Sequence, residues 1–184
     1  MAKSVPQKPV QAAVRSRRAY FDCRFGQLHV RTAFPITGGF DEQVTVMCLH
    51  ARSASSRVFQ TLLSDLAKER SVYAPDLPGF GESDPSPAGT VAESGEAVLD
   101  LCKDLRLRQI DILGMEYGAS VALNIAAANL GLVRRLVLVG LDATDSRAQL
   151  EPNILLMPDG SITAASENLV SQVRGFLDAR SSVR

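Results

Sequence analysis

The stretch Asp76-Leu77-Pro78-Gly79-Phe80-Gly81-Glu82-Ser83-Asp84, DLPGFGESD in one-letter code, separates two kinds of local pattern. Its proline and glycines shape the backbone of a tight loop. Immediately before it, Ser71 to Pro75 reads as a short strand. After it, Val91 to Leu105 reads as a helix with Val91, Val98, Leu101, Cys102 and Leu105 facing inward and Gly95 as a weak point.

The same alternation continues outward in both directions. Towards the N-terminus, Val44 to Leu49 (VTVMCL) is an apolar run of the kind buried on both faces of a parallel sheet. Arg57 to Glu69 follows as a helix whose Val58, Phe59, Leu62, Leu63 and Leu66 form one stripe, with Ser56 or Ser55 as its N-cap. Ala19 to Phe25 and Leu28 to Phe34, separated by Gly26-Gln27, form a predicted hairpin. Towards the C-terminus come a strand at Gln109 to Leu113, a small-residue helix at Tyr117 to Leu130 closed by Gly131, and an aliphatic strand at Val133 to Leu141. Ile154 to Pro158 is one more strand, and Glu167 to Ala179 a final amphipathic helix. Strand and helix in alternation predict a three-layer α/β/α domain with a mostly parallel sheet and right-handed crossovers.

The 184 residues suit one domain: 1–18 as a flexible basic tail and 19–184 as the folded body. Net charge is zero, but Lys3, Lys8, Arg15, Arg17 and Arg18 meet no acid in that tail, which leaves the body near −5. An acidic body argues against nucleic-acid binding, since phosphate affinity comes from clustered Lys and Arg. The tail is the one candidate anion-contacting segment, and its bland reading is a solvated run punctuated by Pro6 and Pro9. No apolar run reaches the roughly 18 residues of a membrane span, and the first residues lack a signal-peptide core, so the expected location is cytoplasmic, with no membrane partner. Cys23, Cys48 and Cys102 are odd in number and contain no CxxC pair, which predicts reduced, buried thiols and no zinc site.

Ligands of such sheets sit beyond the carboxyl ends of the strands. His50-Ala51-Arg52-Ser53, DLPGFGESD, Gly114-Met115-Glu116-Tyr117-Gly118, and Asp142 with Asp145 all fall there. Together they resemble the α/β-hydrolase family. DLPGFGESD is similar to that family's D-x-P-G-x-G-x-S loop, and the leucine-histidine strand end at Leu49-His50 to its oxyanion loop. Gly114-Met115-Glu116-Tyr117-Gly118 stands at the G-x-S-x-G nucleophile elbow, a strand-to-helix turn whose glycines permit close backbone packing. The resemblance implies no cofactor and no metal.

Three departures from the family pattern carry the functional expectation. Glu116 occupies the nucleophile position; relatives with an aspartate there form a covalent ester, which needs a base-activated water for turnover. The loop where the family carries its histidine has Ile162 at or next to that position, and no histidine follows residue 50. Only 12 residues separate Leu141 from Ile154, so the cap and the usual acid-bearing strand look deleted, leaving Asp142 or Asp145 as a surviving acid. Backbone N–H groups of Tyr117 and of Arg52 or Ala51 fall at the oxyanion hole. His50 is read first as a turn-stabilising residue and second as an unorthodox base. His29 is read as structural or exposed. Convergence of His50, Asp76, Glu116 and Asp142 on a metal is disfavoured.

The expected function is therefore an α/β-hydrolase-like protein with a degraded catalytic triad, without conventional esterase activity, keeping a small-molecule or partner-binding role. The alternative is a hydrolase of ester, epoxide or haloalkane substrates acting through Glu116. A third reading is a natural or engineered deletion of a larger hydrolase that retains only the fold. Loss of a strand exposes a sheet edge, which predicts a homodimer.

Overall fold

A computed structural model describes residues 14, 16–36, 43–129, 131–141, 153–157 and 167–179. Seven strands form one sheet: β1 (Ser16–Cys23), β2 (Gly26–Ala33), β3 (Thr45–Leu49), β4 (Val72–Pro75), β5 (Ile110–Met115), β6 (Val133–Val139) and β7 (Ile154–Met157). Their spatial order is β1-β2-β4-β3-β5-β6-β7. β3 to β7 run parallel, whereas β2 is antiparallel to both β1 and β4. Among the described residues, four helices complete the layers: α1 (Gln60–Leu66, entered through a 3₁₀ turn at Ser56–Phe59), α2 (Val91–Asp104), α3 (Tyr117–Ala128) and α4 (Glu167–Asp178).

The apolar run at β3 is buried on both faces, as a central strand requires. Met47 and Leu49 join Leu101, Ile112, Val121 and Leu138 in the core beneath α2 and α3. Val46 and Cys48 join Leu62, Leu63, Leu66, Val137, Val173 and Leu177 in the core beneath α1 and α4. Burial pushes the Cys48 and Cys102 thiols up to about 12, which removes them from thiolate chemistry near neutral pH.

Helix starts follow local chemistry. Ser55 caps the 3₁₀ turn by accepting from the Arg57 N–H. α2 begins with a reciprocal capping box between Thr90 and Glu93, which its apolar periodicity does not reveal. Gly95, expected as a weak point, is instead a close approach: a Cβ there would lie 2.7 Å from Asn124 Oδ1 of α3.

Several boundaries differ from the sequence expectation; the helix expected over Arg57–Glu69 is a 3₁₀ turn followed by α1 ending at Leu66, and two further differences have a tertiary cause. The hairpin turn is Arg24-Phe25, and Gly26 already opens β2, paired with Cys23. Gly26 sits at φ 128 with a Cβ position that the Asp84 carboxylate would fill, so the glycine marks contact with the DLPGFGESD loop rather than the turn apex. The basic segment also does not run to residue 18 as a tail. Arg17 and Arg18 are paired with Thr32 and Arg31 in β1, because an antiparallel ladder satisfies their backbone while the long side chains stay exposed.

At the opposite end of the sheet, arginines hold α4. Asp111, fully buried, accepts two bonds from Arg134, at 2.9 and 2.5 Å. Burial alone raises the Asp111 pKa, and Arg134 counteracts that rise. Arg134 and Arg135 also donate to the Leu177 and Phe176 carbonyls, and Arg135 to that of Ala179, meeting the unpaired carbonyls at the α4 C-terminus. β7 lies parallel beside β6, with Leu136 opposite Ile154, so the last strand takes the place next to Val133–Val139.

Candidate active site at the strand ends

β5 ends at Met115, and α3 begins at Tyr117. Glu116 joins them at φ 48 and ψ −107, a conformation that costs a non-glycine residue about 1–3 kcal/mol. Neighbouring contacts enforce it. The Glu116 N–H donates to the Val139 carbonyl at 2.7 Å, tying the turn to β6. Gly114 and Gly118 allow the close packing: a Cβ on Gly114 would meet the Gly118 carbonyl at 2.5 Å, and one on Gly118 would collide with the Leu49 carbonyl. The sequence pattern thus folds as a strained elbow with its central side chain presented to solvent. Among the described residues, the Glu116 carboxylate has no hydrogen bond or ion pair.

His50 lies beside the elbow but is committed elsewhere. It is fully buried; Nδ1 lies 2.7 Å from the Ala51 carbonyl, and Nε2 accepts from the Leu77 N–H at 2.9 Å. Burial holds its pKa below the usual imidazole range, in keeping with a neutral ring that donates from Nδ1. This ring ties β3 to the first turn of the DLPGFGESD loop and leaves neither nitrogen for a proton transfer.

Arg52 is exposed and stacks on Tyr117, its guanidinium carbon 4.1 Å from the ring centroid. Tyr117 is 8% exposed; its hydroxyl lies 2.9 Å from Ser94 Oγ of α2 and 3.4 Å from the Gly89 carbonyl. Phe80 joins this group, 6.0 Å from Tyr117 and 5.5 Å from His50 between ring centroids. Three loops therefore meet in a packed aromatic cluster under the elbow. Because Tyr117 opens α3, its N–H belongs to the helix's first turn of donors, which lack intrahelical partners. Asp142, Asp145 and Ile162, singled out in the sequence, lie outside the described residues.

The sequence left His29 without a partner, and the fold supplies one. His29 Nδ1 lies 2.9 Å from Asp76 Oδ2, with both side chains buried. Asp76 also accepts from the Ser56 N–H at 2.6 Å and the Glu82 N–H at 2.9 Å. Burial opposes ionisation of Asp76, yet these bonds outweigh it and hold the carboxyl below its usual range. The first residue of DLPGFGESD is thus an internal hub and not a strand-end ligand. Alternation along β2 was the only sequence signal for His29, and alternation does not say which strand lies alongside.

The sequence model of the α/β hydrolase fold family matches residues 44–178, and the chain belongs to that family. An uncharacterized protein of Mycobacterium tuberculosis is 30% identical over 132 residues, covering 71% of this chain and 38% of that protein. The 2-hydroxymuconate semialdehyde hydrolase of Pseudomonas sp. strain CF600 is 37% identical over 87 residues, 45% of this chain and 30% of that enzyme. Among solved structures, naproxen esterase from Bacillus subtilis is similar in fold, with a TM-score of 0.62 at 23% identity over 69% of this chain and 44% of that one. The chain thus spans well under half the length of the curated relatives it matches.

Proposed function

We propose that this chain is a hydrolase-fold protein whose elbow is built but not equipped for conventional ester hydrolysis, and that it serves as a binding module for a small molecule or a partner. The observation that carries this reading is where the two histidines are held. His50 has both ring nitrogens engaged with backbone, and His29 is locked on Asp76 in the β1–β2 hairpin. Glu116 therefore faces solvent without an imidazole, and an ester formed on it would lack a histidine base to activate water.

A hydrolase acting through Glu116 is the competing reading. It draws on the exposed, strained carboxylate at the elbow and on the likeness to a named hydrolase. A panel of activated esters, epoxides and haloalkanes separates the two. The expected result is no turnover above the uncatalysed rate, and none gained by Glu116→Ser. Turnover by the unaltered protein that Glu116→Gln abolishes would establish the competing reading instead.

The partner in this proposal is a second copy of the chain, paired through the β7 edge. β7 is the last strand of the described sheet, and Leu156 on it is 38% exposed. Light scattering at high concentration is expected to give twice the monomer mass, and Leu156→Lys to shift it towards one. A monodisperse monomer before substitution removes the dimer from the proposal.

A further inference from the structure

The β1–β2 hairpin carries a second concentration of polar groups, three strands from the elbow in the sheet order. Its register pairs Arg18 with Arg31 and Tyr20 with His29, so all four side chains share one face. A cavity of about 540 Å³ opens there, lined by Arg17, Arg18, Tyr20, His29 and Glu82. Among the described residues, two nitrogens of this face are buried without a hydrogen-bond partner, His29 Nε2 and Arg31 Nε. His29 is only 1% exposed. Because Asp76 holds Nδ1, the one polar atom that His29 can offer to the cavity is Nε2.

The local supply of acceptors is already spent. Glu82 accepts from the Tyr20 hydroxyl at 2.8 Å and lies 3.9 Å from Arg18 and 3.6 Å from Arg57. The Tyr20 bond, with the nearby positive charges, holds the Glu82 carboxyl below its usual range. Arg31 spends one guanidinium nitrogen on Gln60 at 3.1 Å. Arg18, Arg31 and Arg57 stand around this face, Arg17 lines the cavity from the neighbouring position of β1, and against them are the exposed carboxylates of Glu82 and Asp22 and two orphaned nitrogens. A group rich in anionic oxygens is the missing complement.

We propose that this cavity binds a phosphate group, free or as a small phosphomonoester, with Arg17 and Arg18 on its oxygens and His29 Nε2 on a third contact. Phosphate fits better than carboxylate because near neutrality it carries a charge of about −1.5 to −2 on three strong acceptor oxygens, one for each of Arg17, Arg18 and His29 Nε2, whereas a carboxylate has two oxygens and one charge. The end of the basic segment, unexplained by the elbow, acquires a role in this arrangement. The site does not depend on Glu116, so its test is independent of the activity panel.

Calorimetric titration at pH 7 with inorganic phosphate, phenyl phosphate and acetate tests the proposal, together with ¹⁵N NMR of the histidine rings. Saturable phosphate binding is expected, weaker by about tenfold or more in the Arg17→Gln, Arg18→Gln double variant, since charge-assisted bonds are lost. Both side chains are exposed, so the variant should melt with the parent. Phosphate should also shift the His29 Nε2 resonance in the parent and not in the double variant. Tighter binding of inorganic phosphate would identify the free ion as the ligand, and tighter binding of phenyl phosphate a monoester. No saturable binding of either probe, undiminished binding by the double variant, or equal affinity for acetate would overturn the assignment.

Discussion

Asp76→Ala should lower the unfolding free energy by about 3–5 kcal/mol, because three hydrogen bonds to a buried carboxylate are lost and each donor left without an acceptor costs about 1–3 kcal/mol. The substitution leaves the Ser56 N–H and the His29 ring without their acceptor inside the protein, and removes the bond that holds Glu82. A loss of that size is comparable to much of a domain's total stability, about 5–15 kcal/mol. Asp76→Asn should recover only part of it. Ser56 and Glu82 donate to different carboxylate oxygens, so an amide nitrogen must face one of them.

The acid dependence of Asp76 has a definite sign. Its folded pKa lies below the unfolded value, so its contribution is complete above roughly pH 4 and is lost as pH falls through the lower, folded value. Urea unfolding of the parent and Asp76→Asn should therefore differ most near neutral pH and converge in strong acid. A constant gap across that range, or an Asp76→Ala midpoint equal to the parent's, would contradict the hub role.

Gly118→Ala should cost about 3 kcal/mol, the upper end for forcing an extra carbon into a packed site. A Cβ at Gly118 would lie 2.8 Å from the His50 carbonyl and closer still to the Leu49 carbonyl. Both obstacles are backbone, and β3 cannot retreat because Leu49 is paired with Gly114 of β5. Gly175→Ala in α4 supplies a control of opposite sign. Nothing lies within 4 Å of a Cβ there, so the change should stabilise by about 0.5–1 kcal/mol through helix propensity. Equal midpoints for Gly118→Ala and the parent would show that the elbow does not need its close approach.

How much was legible in advance follows from the range over which each signal acts. The β3 run, the α2 stripe and the glycines of the elbow are local patterns, and each formed the element its pattern dictates. The elbow at Glu116 was expected from the family resemblance, and the structure supplies the reason for its glycines: close packing there excludes any Cβ. Gly26 misled for the converse reason: it looks like a turn residue, but its requirement comes from Asp84, which is distant in sequence. Arg17 and Arg18 likewise read as tail from charge alone, since nothing local announces that β2 will pair with them.

By itself the sequence determined the α/β alternation, the double-sided burial of the central strand, the elbow with its carboxylate, and the family to which these belong. Only the tertiary structure decided that β2 lies beside β4, which brings His29 to Asp76 across 47 positions and makes the first residue of the DLPGFGESD loop an internal hub. It also decided that Arg134 and Arg135 serve the carbonyl end of α4. Periodicity reports which face of an element is buried. Strand order and long-range ion pairing depend on the energy of the whole packed arrangement, which no single window of residues contains.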